Sequence, residues 1–95
     1  MREYELTLML APKLEDKDLE KLQTNIKKWL EENKAKVQKS EDWGVKRLAY
    51  PIAKNQEAGY LFYTFKADVT GFSDLEKKIS LEEKILRYLL IRKDQ

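Results

Sequence analysis

The best candidates for a general acid and a general base in this sequence are two acidic pairs, Glu31–Glu32 and Glu82–Glu83. Each pair is followed within two residues by a lysine, which is typical of solvated charge on a helix or turn rather than of catalytic carboxyl groups. The sequence contains no histidine and no cysteine, so it lacks an imidazole for proton transfer, a thiolate nucleophile and the ligands of a zinc ribbon. We therefore expect no enzymatic activity, no metal site and no cofactor.

A second group of candidate functional residues lies in the stretch EDWGVKRLAYPIAKNQEAGYLFYTF, residues 41–65. This stretch combines aromatic side chains with a proline and with a basic cluster, Lys46, Arg47 and Lys54, that flanks residues 50–52. Aromatic and basic side chains together suit the binding of nucleobases and phosphates, and exposed apolar side chains also mark protein interfaces. The stretch therefore predicts a binding surface rather than a reaction centre.

Charge is segregated along the chain, although the formal net charge is only +2. Residues 34–54 carry six basic and two acidic side chains, and residues 84–93 carry four basic side chains and no acidic one. Residues 15–33, by contrast, carry six acids and four lysines. Because a net charge near zero supplies little general attraction for nucleic acid, any phosphate binding must come from local basic patches.

Hydrophobic periodicity indicates the elements that position these residues. Alternation of apolar and polar residues from position 3 to position 10 predicts a first strand, and apolar residues at helical spacing from position 19 to position 30 predict a helix. We expect Asp16 or Asp18 to cap the start of this helix, and Asn33 or Lys34 to end it.

The middle of the chain is predicted to be extended. A second strand covers residues 35–52, with a β-bulge expected at Gly44. A polar connection, residues 53–59, leads to a third strand that is rich in aromatic residues and covers residues 59–67.

A short helix around residues 72–79 and a strand within KILRYLLIRK, residues 84–93, complete the series. The order strand, helix, strand, strand, helix, strand is that of the ferredoxin-like split βαβ fold, an α+β architecture. We expect residues 1–95 to form one domain with a four-stranded antiparallel sheet, the first and third strands central and both helices on one face. The predicted core contains Leu6, Leu8, Leu19, Ile26, Leu30, Val37, Tyr63, Phe65, Leu75, Ile79, Tyr88 and Leu90.

The third strand partly matches the pattern of an RNA-recognition motif. Tyr60 and Phe62 fit aromatic positions of that pattern, whereas Ala58 stands where a basic residue belongs. Strand parity places Tyr60 and Phe62 on the face without helices, where bases stack in such modules. Their predicted neighbours on this face are aliphatic residues of the first and last strands, which suits a protein partner. Base stacking and protein contact therefore both stay open.

Basic residues converge in two predicted patches. Antiparallel pairing of the first and last strands brings Arg2 close to Arg92 and Lys93, and Arg87 lies further along the last strand. The second patch is the basic cluster around residues 50–52, on an edge strand where lysine and proline also discourage sheet extension.

Three stretches, MREYELTLML, EDWGVKRLAYPIAK and ILRYLLIRK, resemble bacterial small-subunit ribosomal protein six in their order and spacing. RLAYPI followed by Ala53 and Lys54 is the most specific part of the resemblance, and Glu3 departs from the basic or polar residue common at its position. The resemblance implies a ferredoxin-like structural protein of the small ribosomal subunit. It also implies binding to rRNA of the central domain together with small-subunit ribosomal protein eighteen, and no catalysis.

Of the site residues, the resemblance implies Arg2, Tyr4, Tyr50, Pro51, Ile52, Lys54, Arg87 and Arg92, and the charge, aromatic and strand patterns add the rest. Those expected to contact rRNA are Arg2, Tyr4, Arg87, Arg92 and Lys93. Those expected to contact the protein partner are Trp43, Lys46, Arg47, Tyr50, Ile52, Lys54, Tyr60 and Phe62. The alternative is an RNA-recognition-motif-like module that binds single-stranded RNA.

The start of the chain lacks the apolar region and cleavage site of a signal peptide, and no apolar run approaches membrane-spanning length. We expect a cytoplasmic, ribosome-associated protein that binds no membrane and has no small-molecule substrate.

Overall fold

The computed structural model describes residues 2–52, 54–68 and 71–93. The elements are β1 (Arg2–Leu10), α1 (Asp16–Glu32), β2 (Lys36–Ile52), β3 (Asn55–Ala67), α2 (Ser73–Leu81) and β4 (Ile85–Arg92). The strands form one antiparallel sheet in the order β2-β3-β1-β4. This is the predicted ferredoxin-like α+β fold, with β1 and β3 in the centre of the sheet. Neither helix in the described residues is long and apolar enough to cross a membrane.

Alternate side chains of the two central strands supply the sheet's half of the core. Leu6 and Leu8 of β1 and Phe65 of β3 are fully buried, and they belong to the same cluster as Ile26 and Leu30 of α1. A strand places every second side chain on one face, so this alternation turns the apolar half of each central strand toward the helices. Full burial of each leucine or isoleucine contributes about 1.5 to 3 kcal/mol.

The border of the core differs from the prediction. Leu19, Val37, Tyr88 and Leu90 are half-buried and pack against the cluster from outside, because they lie on the first turn of α1 or on edge strands that have a neighbour on one side only. The buried cluster extends beyond the predicted set to Tyr4, Leu10, Leu22, Ala35, Leu61, Ala67 and Phe72.

The start of α1 carries no side-chain cap. Glu15 occupies the N-cap position, and its side chain makes no capping hydrogen bond. The prediction that Asp16 or Asp18 caps the helix is wrong, because both lie inside the first turn. Their negative charges are favourable there, next to the positive end of the helix dipole.

The end of α1 is a tight turn through Asn33 and Lys34. The Lys34 amide donates to the Glu31 carbonyl at 3.0 Å, and the Ala35 amide donates to the Leu30 carbonyl at 3.0 Å. These two bonds form a Schellman motif, which requires a left-handed residue between its donors. Lys34 adopts that conformation with a φ of 60°. The turn directs the chain into β2.

The hairpin of β2 and β3 extends past the rest of the sheet. β1 pairs with β3 only as far as Gly59, whereas β2 pairs with β3 as far as the Ile52–Asn55 pair. Most of the predicted polar connection, residues 53–59, is therefore strand. Its sequence looks like a loop because its side chains are mostly polar and, of the described residues 54–59, only Ala58 is buried, so apolar alternation is absent.

Candidate functional site

The face of the sheet opposite the helices, here called the helix-free face, collects aromatic and aliphatic side chains from four strands. Thr7 in the middle of β1 pairs with Phe62 on one side and with Leu89 on the other. Met9, on the same face of β1, pairs with Tyr60 of β3. The predicted orientation of Tyr60 and Phe62 follows from this register, because their neighbours Leu61 and Tyr63 are buried toward the helices.

Three rings on this face form one stack. The Trp43 ring lies 4.8 Å from the Phe62 ring with 16° between the planes, and 6.5 Å from the Tyr60 ring with 27° between the planes. The indole Nε1 donates to Glu41 Oε1 at 3.2 Å, which fixes the ring over its neighbours. One face of Phe62 is therefore already covered by protein, and the outermost ring is Trp43, which is 43 % exposed.

A β-bulge brings Trp43 into this position. The register between β2 and β3 shifts between Asp42 and Gly44, where the sequence predicts a bulge. Gly44 has a φ of 75°, a conformation that glycine adopts without steric cost. The Gly44 amide donates to Asp42 Oδ1 at 2.9 Å, and this bond holds the irregular turn of the strand.

The helix-free face has an apolar centre and a charged border. Leu89 is 58 % exposed and Ile91 is 43 % exposed on β4, beside the central strand. Ion pairs stand around this centre: Lys66–Glu3 at 3.6 Å, Lys93–Glu5 at 3.9 Å and Lys39–Glu41 at 3.6 Å. An exposed apolar centre with a polar border is typical of a protein interface.

The hairpin end presents the remaining residues predicted to contact the partner. Lys46 and Arg47 are exposed opposite Ala58 and Glu57, and regular pairing then stops until Ile52. Tyr50 lies in this irregular part and is 80 % exposed. Lys54 is also exposed, with a φ of 67°. The hairpin end therefore offers an aromatic ring among basic side chains, separate from the Trp43 stack.

The predicted rRNA contacts are only partly brought together. Tyr4 pairs with Arg92, and the Lys93 amide donates to the Glu3 carbonyl at 2.8 Å, so Arg2 and the end of β4 lie at one end of the sheet. Arg87 lies five residues back along β4, about 17 Å away at the usual rise of a strand. Residue parity puts Arg87 on the helix-free face and Arg92 on the helix side.

Tyr4, which the sequence predicts as an rRNA contact, is instead a core residue whose ring offers RNA little surface. Its side chain is 8 % exposed, its ring stacks on Phe65 at 5.5 Å, and it meets Phe72 edge-on at 4.9 Å. The position has the inward parity of Leu6 and Leu8, which the sequence pattern already contained.

A cleft of about 550 Å³, which the sequence pattern does not indicate, lies between α1 and β2. Glu20 and Lys27 line it from the helix, Asp42 from β2, and Leu61 and Tyr63 from β3. Burial, and secondarily the charge of Asp42, raises the pKa of Tyr63 to about 12. No local pattern predicts this cleft, because it depends on how far α1 extends over the edge of the sheet.

With this geometry established, comparison with known proteins identifies the family. The family model described as ribosomal protein S6 matches residues 3–92. Small ribosomal subunit protein bS6 of Fusobacterium nucleatum subsp. nucleatum is 33% identical over 94 residues, which are 99% of this chain and 100% of that protein. The bS6 protein of Desulforamulus reducens is 33% identical over 95 residues, 100% of both chains.

Solved structures agree with the sequence comparisons. The crystal structure of 30S ribosomal protein S6 from Thermotoga maritima matches with a TM-score of 0.92 and 31% identity, over 97% of this chain and 87% of that one. The P2 domain of the chemotaxis kinase CheA, at a TM-score of 0.59 and 13% identity, shares the fold alone. The resemblance found in the sequence is thus confirmed, and the chain belongs to the ribosomal protein S6 family of the small ribosomal subunit.

Proposed function

We propose that this protein binds rRNA of the central domain of the small subunit together with small-subunit ribosomal protein eighteen, as a structural component without catalytic activity. The observation that carries the proposal is the separation of two surfaces on one sheet. An apolar, aromatic surface suits a protein, and a basic strand end suits phosphate. A single-domain, cytoplasmic, ribosome-associated protein is part of the same proposal.

The protein partner is proposed to contact the hairpin and the Trp43 stack. Tyr50 supplies an exposed aromatic anchor, and Trp43 supplies a second one that is already held in place by Glu41. Aromatic side chains of this kind are enriched among residues that dominate binding energy. The neighbouring Lys46, Arg47 and Lys54 are proposed to stand at the border of this contact, and Ile52, Tyr60 and Phe62 beneath it.

The rRNA is proposed to contact the basic side chains of the chain ends. Arg2, Arg92 and Lys93 lie at one end of the sheet, with Arg92 on the helix side and Lys93 beside Glu5 on the helix-free face, and Arg87 extends the positive charge along β4. Phosphate contacts of this type position RNA without reading its bases. Specificity for one RNA site therefore requires the protein partner and an RNA junction of defined shape.

Single-stranded RNA binding is the second candidate, and the three-ring stack on an open sheet face is the observation that favours it. The geometry of the stack also argues against it. Trp43 covers Phe62 at 4.8 Å, so one face of the Phe62 ring is closed to a base. Sequence-tolerant binding of single strands instead uses several aromatic platforms for successive bases.

Replacing the anchors of the two surfaces separately tests this proposal. We expect Tyr50→Ala combined with Ile52→Ala to weaken pairing with ribosomal protein eighteen in the absence of RNA, as measured by isothermal titration calorimetry. A matched double variant on the other side of the fold, Lys77→Ala with Ser80→Ala on α2, should pair normally. Undiminished pairing by the hairpin variant would remove the hairpin from the proposed interface.

Titration of a pool of single-stranded RNA with the isolated protein distinguishes the second candidate. If single strands are the ligand, Tyr60→Ala with Phe62→Ala should lose about 1 to 3 kcal/mol of binding free energy per stacked base. The ribosomal proposal expects only weak binding of this pool before and after the change.

A further inference from the structure

The hydroxyl group of Tyr63 opens on the cleft between α1 and β2. The Tyr63 side chain is 4 % exposed, and its hydroxyl group makes no hydrogen bond to any residue in the described ranges. Tyr63 lines the cleft, and no buried side-chain oxygen in the described residues lacks a hydrogen-bond partner, so water reaches this hydroxyl group through the cleft. A ligand in the cleft can replace that water as the hydrogen-bond partner of the hydroxyl group.

Two exposed carboxylates line the same cleft from different elements. Glu20 belongs to α1 and Asp42 to β2, and neither forms an ion pair with a residue that the structure describes. Asp42 points to the helix side because it pairs with Leu61, which is buried toward the helices. Lys27 also lines the cleft, which leaves one uncompensated negative charge among these three side chains.

Glu41 borders the cleft but is committed elsewhere. Its carboxylate accepts the indole N–H of Trp43 at 3.2 Å and lies 3.6 Å from the Lys39 ammonium. Both contacts are on the helix-free face. The charge available inside the cleft is therefore that of Glu20, Lys27 and Asp42.

We propose that this cleft accepts one arginine side chain from the protein partner, an inference that rests on the proposed function. A guanidinium group carries one positive charge and five N–H donors, which can reach a carboxylate on each wall and the phenolic oxygen between them. The aliphatic stem of the arginine would lie on Leu61, which lines the same cleft.

The position of the cleft is continuous with the proposed protein surface. Asp42 and Trp43 are adjacent in the bulge of β2, and they point to opposite faces of the sheet. A partner that contacts Trp43 on the helix-free face and passes around edge strand β2 would reach Asp42 on the other face. The edge is accessible because β2 pairs with β3 on one side only.

The first test uses a small probe, acetyl-Gly-Arg-Gly-amide, followed by amide chemical shifts of the isotope-labelled protein. We expect saturable shifts at Asp42, Tyr63 and Thr24, no such shifts with the neutral citrulline peptide, and their loss in Asp42→Asn. The variant keeps an oxygen that can accept the Gly44 amide, so the bulge is preserved. Equal shifts with both peptides, or shifts spread evenly over all acidic residues, would overturn the inference.

The second test measures pairing with ribosomal protein eighteen. Asp42→Asn should weaken pairing about tenfold, as expected for loss of one charge-assisted hydrogen bond, and Tyr63→Phe should weaken it in the same direction. Glu83→Gln, which removes the same charge from an exposed site near β4, is the control and should pair normally.

The two proposals fail separately. If the unchanged chain pairs with ribosomal protein eighteen and Asp42→Asn pairs equally well, the arginine site is wrong and the proposed function stands. If the unchanged chain does not pair at all, the proposed function fails, and the peptide titration alone decides whether the cleft binds a guanidinium group.

Discussion

Lys34 occupies a backbone conformation that an L-residue adopts at a cost. The Schellman motif at the end of α1 requires a positive φ at this position, and the side chain of Lys34 is exposed. Glycine is the usual residue there because it has no Cβ atom to clash with the following carbonyl. The sequence alone identifies Lys34 as an end of the helix but not its conformation, because lysine carries no signal for a left-handed turn.

We predict that Lys34→Gly stabilises the protein by about 0.5 to 1 kcal/mol after the greater freedom of glycine in the unfolded chain is deducted. Urea denaturation measures the free energy of unfolding. Lys36→Gly, two residues later in β2, is the control and should destabilise, because its backbone is not left-handed. A loss of stability in Lys34→Gly would show that the turn does not strain lysine.

Tyr63 makes stability depend on alkaline pH. Its pKa is raised from 10.0 to about 12, first by burial and then by Asp42, and Glu20 and Lys27 face it from α1. The folded state holds the phenolic proton more tightly than the unfolded chain does. This stabilisation is complete below about pH 10 and is lost between about pH 10 and 12, by about 2 to 3 kcal/mol.

Tyr63→Phe should therefore reduce the fall in unfolding free energy over this pH range and leave stability at neutral pH almost unchanged. Comparing the variant with the unchanged protein removes the parallel contributions of Tyr88 and Lys78, the pKa values of which are also raised. Identical alkaline profiles for the two proteins would contradict the assignment of this proton to Tyr63.

The helices and strands were predictable where one face of the element is buried and the other is exposed to solvent. β1, α1 and the inner part of β3 carry their period in the sequence, and the structure confirms them. The outer part of the hairpin, residues 55–59, was not predictable as strand, because its side chains are mostly polar, Ala58 alone among them is buried, and the apolar period disappears. The cleft was not predictable either, because its existence depends on how α1 and β2 are positioned relative to each other, and the sequence of neither element alone contains that information.

We predict that Ile26→Ala in α1 lowers the free energy of unfolding by about 2 to 5 kcal/mol, because Ile26 is 0 % exposed at the centre of the helix face. The neighbouring Lys28→Ala, on the exposed side of the same helix, is the matched control and should change it by no more than about 0.5 kcal/mol. Denaturant titration of both variants decides. A cost at Ile26 as small as that at Lys28 would mean that α1 does not close the core.

At the scale of the whole molecule, the sheet divides its two proposed tasks between different regions. The family was predictable because three stretches distributed over the chain resemble it, but which residues meet RNA was not. Tyr4 illustrates the reason: it matches the family pattern, and yet its ring is packed between Phe65 and Phe72. A resemblance to a motif does not separate residues kept for packing from those that contact a partner.

We predict that neutralising Arg87 and Arg92 together lowers the salt slope of RNA binding by about one to two, since each lost phosphate contact lowers it by slightly less than one. Pairing with ribosomal protein eighteen in the absence of RNA should change little, because both arginines lie on β4, at the opposite edge of the sheet from the hairpin. Measuring RNA binding at several salt concentrations with saturating partner gives the slope. An unchanged slope would remove these arginines from the RNA contact.

The most direct test of the account is the affinity of the protein for a central-domain rRNA junction, measured with and without saturating ribosomal protein eighteen at one salt concentration. A net charge of +2 supplies little attraction by itself, so we predict weak binding by the protein alone and much tighter binding with the partner. By thermodynamic linkage, the RNA should tighten the protein pair by the same factor. RNA binding that is equally tight without the partner would contradict the central claim.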